Sequence, residues 1–233
     1  MKYQNNIKNR INARHFKSLE IIGDLSNKKI LNIGCHIGWL EYLVRDKKFD
    51  EFYSIDTNLN YLDEEIKENP RFNFLQGSIT NIPCRSGYFD IVTSFEIIEH
   101  LRKREFELAF NELNRVLKVG GILYISVPFK NLLSVALDPA ILIGHKHLNL
   151  KILKPYLENN DFEVIYVIKL GGFYEIFNNF LMYIFRFLFN SENPFSNILE
   201  PKRNNEFFNK NNGFSNLFIK AKKYSHTKNI NKI

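Results

Sequence analysis

Along this chain, apolar residues fall into short blocks whose spacing switches repeatedly between unbroken runs and intervals of three and four. From Lys29 to Leu40, "KILNIGCHIGWL", the run Ile30-Leu31-Asn32-Ile33 stops at Gly34, and Gly38 follows four residues later. Trp39, Leu40, Tyr42, Leu43 and Val44 then recur at helical spacing. The pattern predicts a buried strand, a glycine turn and a helix over about 38–46. Glycine permits positive φ and close ligand approach, and the helix start offers unpaired N–H groups. A helix or two is also expected earlier, where Ile7, Ile11, Phe16, Leu19 and Ile22 are spaced to pack on the edge of the main domain.

The alternation continues. Phe52–Ile55 reads as a second strand ending at Asp56, and Leu59–Glu68 as a helix stopped by Asn69-Pro70. "RFNFLQGS" gives a third strand, and Phe89–Phe95 a fourth. Phe106, Phe110, Leu113 and Leu117 share one face of a helix over 103–117. Ile122–Val127 forms a fifth strand stopped by Pro128. Strands alternating with helices at this pitch predict a parallel sheet covered on both faces. Beyond it, 148–159 reads as a helix despite Pro155, 162–170 as a strand, and 217–221 as a last short one. The forty-odd residues between those two strands exceed any hairpin connection.

Length supports one domain with a modest insertion. The expected parts are an N-terminal helical segment (1–28), a core (29–170), a hydrophobic insertion (171–212) and a last strand with a basic tail (213–233). The net charge of +7 is spread along the chain, so a solvated surface is expected rather than a nucleic-acid footprint. Cys35 and Cys84 are the only cysteines. A disulfide framework is therefore not expected, and a reducing cytoplasm is the natural compartment. The first 25 residues lack an apolar signal core. No apolar run of about 18 residues predicts a membrane span.

Asp56 lies 22 residues after Gly34, where a carboxylate in nucleotide-binding α/β folds accepts hydrogen bonds from ribose hydroxyls. The competing role is to cap the next helix. His100, His145 and His147 are candidate general bases after the fourth and fifth strands. Their alternative roles are a helix start and loop packing. Glu96 and Glu99 are further polar groups near the same mouth, and no spacing of ligand residues predicts a metal. In "GGFYEIFNNFLMYIFRFLFN", Tyr174, Phe177, Leu181, Ile184, Phe185 and Leu188 form an apolar helical stripe. That stripe suits packing on the sheet, a substrate lid, a dimer surface or a membrane-resting helix. Arg186, Lys202, Arg203 and Lys210 would suit anionic headgroups.

Taken in order, "ILNIGCHIG", "YSIDTN", "GSITNIPCRSGYFDIVTSFEIIEHL" and "ELNRVLKVGGILYISVPF" resemble the successive motifs of class I S-adenosylmethionine-dependent methyltransferases. The similarity is to the small methyltransferase-domain type that acts on metabolites, quinones, lipids and glycans. It covers about 25–170, with a final strand at "NLFIKAKK". The resemblance implies a Rossmann-like, seven-stranded, mostly parallel sheet with helices on both faces and only the last strand antiparallel. It also implies that Gly34, Cys35, His36 and Gly38 form the loop under the methionine portion of S-adenosylmethionine. Asp56 would bind the ribose, Thr57 would lie beside the adenine, Ser78 and Ile79 at its edge, and Phe95 near the sulfonium. Asn32, His36 and Ser78 depart from the family, which places an acidic residue, a glycine and an aspartate there. Asn32 keeps an acceptor for the cofactor without the charge.

These features predict a cytoplasmic methyltransferase, with peripheral membrane contact open. The expected acceptor is small, lipid-linked or glycan-like, with an oxygen nucleophile. The alternatives are a catalytically inactive binding protein on the same fold and, behind it, an RNA methyltransferase. Nucleic acid is not the expected partner, since "SFEI" stands where related base-amine enzymes carry an N-P-P-Y-like tetrad. The sequence leaves the oligomeric state undefined.

Overall fold

The computed structural model describes residues 7–209 and 212–225. Lys210 and the end of the basic tail, from 226 onward, lie outside them. Seven strands form one sheet in the order β3-β2-β1-β4-β5-β7-β6. They are β1 (Lys29–Ile33), β2 (Glu51–Asp56), β3 (Phe72–Gln76), β4 (Phe89–Phe95), β5 (Leu117–Pro128), β6 (Phe162–Leu170) and β7 (Asn216–Lys223). Neighbours from β3 to β5 pair in parallel, while β7 runs antiparallel to both β5 and β6. The resemblance implied this arrangement. Chain order reverses direction across the sheet between β1 and β4. The C-terminal ends of those strands therefore open the crevice where ligands bind in such sheets.

Among the described residues, eight α-helices accompany the sheet: α1 (Ala13–Ile22), α2 (Trp39–Val44), α3 (Glu64–Lys67), α4 (Lys103–Val116), α5 (Leu132–Ala136), α6 (Leu150–Asn159), α7 (Phe173–Phe189) and α8 (Ser196–Asn209). Side chains along a strand alternate between faces. Leu31, Ile33 and Val92 accordingly pack with Phe106, Phe110 and Leu113 of α4 and Leu153 and Leu157 of α6. Ile30, Phe52 and Tyr124 pack on the other face with Ala13 and Ile22 of α1, Leu40 and Val44 of α2, and Phe207 of α8. The central strands are buried on both sides. That explains their unbroken apolar runs.

Three segments depart from the sequence expectations, while the helix expected through Pro155 is present. Leu59–Glu68 is not one helix: a single 3-10 turn, Leu59–Tyr61, is separated from α3 by Leu62 in extended conformation. Asn58 and Asp63 each cap their own turn, so two capping side chains compete with continuous helix. The helix through Pro155 is continuous, because the proline sits on the exposed side where water can meet the freed carbonyl. The polar segment 196–209 forms α8, a helix the apolar pattern did not reveal.

The third departure is the face α7 turns inward. Its fully buried residues are Glu175, Ile176 and Asn178, while Leu188 of the expected apolar stripe is 71% exposed. The cause is α8. Arg203 Nε bonds Glu175 Oε2 at 2.7 Å, and Asn193 donates to Asn178. Glu206 accepts the N–H groups of Tyr174 and Glu175, capping the first turn of α7. Arg203 is thereby consumed inside and does not face a membrane surface.

Candidate functional site

The loop after β1 is built largely from backbone. Gly34 and Cys35 donate their N–H groups to the Ile55 carbonyl at the end of β2. Gly34 (φ 79°), His36 (φ 47°) and Gly38 (φ 82°) all take left-handed conformations. At Gly38 a Cβ would stand 2.8 Å from Ile66 Cγ2, so both the turn and the approach of α3 require glycine. His36 adopts the positive φ without being glycine. Its ring lies 5.3 Å from that of Tyr61, and burial lowers its basicity.

The His36 N–H donates to Asp56 Oδ2 at 2.9 Å, and the Asn58 N–H donates to Oδ1 at 3.0 Å. Asp56 is thus oriented by the loop it would serve, with acceptor capacity remaining on its carboxylate. Gly34, Cys35, His36, Gly38, Asp56 and Thr57 therefore converge at one mouth. Phe95 lies beneath it against Trp39, whose ring in turn meets that of His15 at a tilt, with centroids 4.6 Å apart. Cys35 is fully buried, and that burial pushes its thiol pKa up. Ser78 follows β3 with its hydroxyl bonded to Thr80, and Ile79 beside it is buried in the core.

Asn32 is placed differently. It is 2% exposed and both ends of its amide are engaged: Thr93 donates to Oδ1, and Nδ2 donates to Glu41 Oε1. Ser54 also donates to Glu41 Oε1. The amide faces this interior network rather than the mouth. Glu41 is wholly buried, its Oε2 lacks a hydrogen-bond partner among the described residues, and burial raises its carboxyl pKa. Sequence spacing hid Glu41, because it sits among helix positions that read as surface.

The three histidines come together at the ends of β4 and β5. His100 and His145 stand with ring centroids 5.2 Å apart, and His145 and His147 with theirs 5.6 Å apart. Asp138 lies beneath them: its Oδ2 is 2.5 Å from His145 Nδ1 and 2.8 Å from His147 Nε2. A carboxylate can only accept, so these ring nitrogens carry the protons. Burial alone would raise the Asp138 pKa. The two imidazole donors and the Ala140 N–H outweigh it and hold the carboxyl well below its usual range. Asp138 reads in sequence as a plain cap before Pro139, and only the tertiary structure shows its partners.

Glu99 is 1% exposed beside His100, with its pKa raised by burial first and by the nearby Glu96 second. Burial, followed by the neighbouring His145, lowers the basicity of His100. Glu96 is fully occupied by Arg14 at 3.0 Å and by the Ser126 hydroxyl at 2.7 Å. The helix α7 packs against the turn Pro139–Ile143 that follows Asp138, and burial first, then the charge of Asp138, raises the Tyr183 pKa.

This strand order, with a glycine loop tied to a carboxylate at the next strand's end, defines the class I S-adenosylmethionine-dependent methyltransferases. Residues 31–125 match the family model described as a methyltransferase domain. A Mycolicibacterium smegmatis protein named "Probable S-adenosylmethionine-dependent methyltransferase" is 27% identical over 148 residues, covering 60% of this chain and 53% of that protein. A Mycobacterium ulcerans protein named "Probable phthiotriol/phenolphthiotriol dimycocerosates methyltransferase 2" is 31% identical over 101 residues, covering 42% and 38%. The chain thus spans about half the length of the first and less of the second. Among solved structures, the [4+2]-cyclase SpnF superposes with a TM-score of 0.65 at 16% identity, covering 95% of this chain and 86% of that one. Geranyl diphosphate methyltransferase in complex with SAM gives 0.63 at 13%, covering 91% and 84%. At such identities these two likenesses show the fold alone. No described helix is long and apolar enough to cross a membrane.

Proposed function

We propose that the protein transfers a methyl group from S-adenosylmethionine to a hydroxyl oxygen of an apolar, lipid-linked or glycan-type acceptor. The observation that carries this reading is the convergence of Glu99, His100 and His145 after β4 and β5, with Glu99 two residues along from Ile97, whose side chain packs against Gly34 of the loop. The loop fits the cofactor. Asp56 keeps acceptor capacity for a ribose diol, and left-handed turns at Gly34, His36 and Gly38 shape the loop, with the Ile97 side chain packed against Gly34. When bound, the cofactor supplies an electrophilic methyl group on a sulfonium.

The chain's own residues have three tasks. Asp56 and the loop fix orientation, and Phe95, Ile97 and Trp39 line the mouth with apolar surface that excludes water. An acceptor hydroxyl held in line with that methyl group would receive it, and the hydroxyl proton would leave toward the histidine cluster. An apolar acceptor is supported by α7, whose exposed end carries Phe187, Leu188 and Phe189. The turn Pro139–Ile143, which packs against that helix, adds the exposed Leu142. This surface also supports peripheral contact with a membrane from which the acceptor is drawn. The M. ulcerans relative's name points to a lipid acceptor for that protein.

The amide of Asn32, spent inside the sheet, favours a second reading, a methyltransferase fold that has lost its cofactor. Calorimetry with S-adenosylhomocysteine separates the two. The wild type should bind, and Asp56→Ala should weaken binding more than tenfold, about 1.4 kcal/mol. A wild type that binds nothing overturns the enzyme reading.

A further inference from the structure

Glu99 and His100 follow β4, and His145 follows β5, 45 residues further along the chain. No sequence spacing joins them, yet one potential ligand atom from each lies within 4.8 Å of the other two. Ligand atoms sharing one zinc-like ion at about 2.1 Å stand about 3.4 Å apart, so side-chain rotation suffices to close the set.

Three observations point to a bound cation. The Glu99 side chain is 1% exposed, and its Oε2 has no hydrogen-bond partner among the described residues, whereas buried acceptors are normally satisfied. Its other oxygen lies 3.9 Å from His100 Nε2. His145 donates Nδ1–H to Asp138, which leaves Nε2 as the nitrogen with a free lone pair. A carboxylate behind an imidazole in this way is the usual support of a metal-ligating histidine, fixing its tautomer and ring orientation. Asp138 is itself braced by His147 Nε2–H and the Ala140 N–H.

Asp138, His145 and His147 also lie close enough together to be considered as a ligand set. There, however, the facing atoms already satisfy one another by hydrogen bonds. That group supports the site and does not form it. The remaining donors, two imidazole nitrogens and one carboxylate, suit a borderline divalent ion and leave a coordination position open.

We infer that Glu99, His100 and His145 bind a divalent transition-metal ion of the zinc class, with Asp138 as the positioning residue behind His145. The role of the ion rests on the proposed methyl transfer and replaces proton transfer to free histidines: with His100 and His145 engaged as ligands, the ion would stabilise negative charge developing on the acceptor oxygen while its proton passes to solvent. Its existence does not rest on that reading.

The test uses untagged full-length protein, stripped with chelator and titrated with Co²⁺. Visible d–d absorption and metal content are read in parallel with S-adenosylhomocysteine calorimetry. One equivalent of Co²⁺ should bind with d–d bands, and Zn²⁺ should displace it. His100→Ala, whose ring is largely exposed, and Glu99→Gln should each weaken binding at least tenfold. Asp138→Asn should weaken it about 10–100-fold. Absence of Co²⁺ bands in the wild type overturns the inference. So does undiminished binding by folded His100→Ala and Glu99→Gln. Retained S-adenosylhomocysteine binding without metal would sink this site alone, and metal binding without S-adenosylhomocysteine would sink the methyl-transfer reading alone.

Discussion

Around β1 to β3 the mouth is held by main-chain geometry: N–H groups of Gly34 and Cys35 on the Ile55 carbonyl, and that of His36 on Asp56. Beyond β5, the corresponding work falls to charged side chains far apart in sequence. Arg203 meets Glu175, Glu206 caps α7, and Asp138 holds two histidines. The difference sets what each half tolerates. A backbone-built loop depends on a few φ angles, whereas a half built on buried charge depends on partners that cannot be removed singly.

The largest expected effect comes from breaking the second half. Arg203→Ala leaves Glu175 buried without its cation, which costs about 3–5 kcal/mol. The thermal midpoint should fall by at least about 6 °C for a chain of this length. S-adenosylhomocysteine affinity, measured well below the transition, should change little. If the midpoint holds, the Glu175–Arg203 pair is not what fixes α7.

The first half breaks through its backbone instead. Gly38→Ala forces a side chain into left-handed conformation at a cost of about 1–2 kcal/mol, and its Cβ meets Ile66. Here a midpoint loss of about 2–8 °C should come with weakened cofactor binding. A loss of stability with unchanged affinity would separate the loop from the ligand.

The smallest effect is a pH dependence under the loop. Burial raises the Glu41 carboxyl above its usual range, so its protonated form favours the folded state. That contribution is fully present below the ordinary carboxylate value and is lost as pH rises through the raised one. Urea unfolding at pH 4 and pH 8 should therefore show the wild type losing ground to Glu41→Gln by on the order of 1 kcal/mol. Parallel curves would mean that Glu41 is not held neutral.

The same contrast explains what the sequence disclosed. The strand–glycine–helix pattern at 29–44 and the carboxylate at Asp56 are local, so periodicity and turn chemistry suffice to find them. The helix α8 was hidden because its buried side carries Arg203 and Glu206 beside Leu199 and Phe207. The cluster at His145 was half visible: the histidines stand out as types, but Asp138 and Glu99 acquire meaning only when β4 and β5 lie side by side. Asn32 marks the opposite case: the resemblance implies contact with the cofactor, while its side chain bonds Glu41 and Thr93.

One pairing has a further consequence. Leu170, the last residue of β6, sits opposite Asn216, the first of β7. The excursion through α7 and α8 therefore leaves the sheet and returns to it at the same point, like a drawer on a fixed frame. Loop closure itself is nearly blind to the length of the segment, where doubling it costs about 0.6 kcal/mol. What ties the segment to this frame is its packing, Phe207 in the core and Arg203 on Glu175.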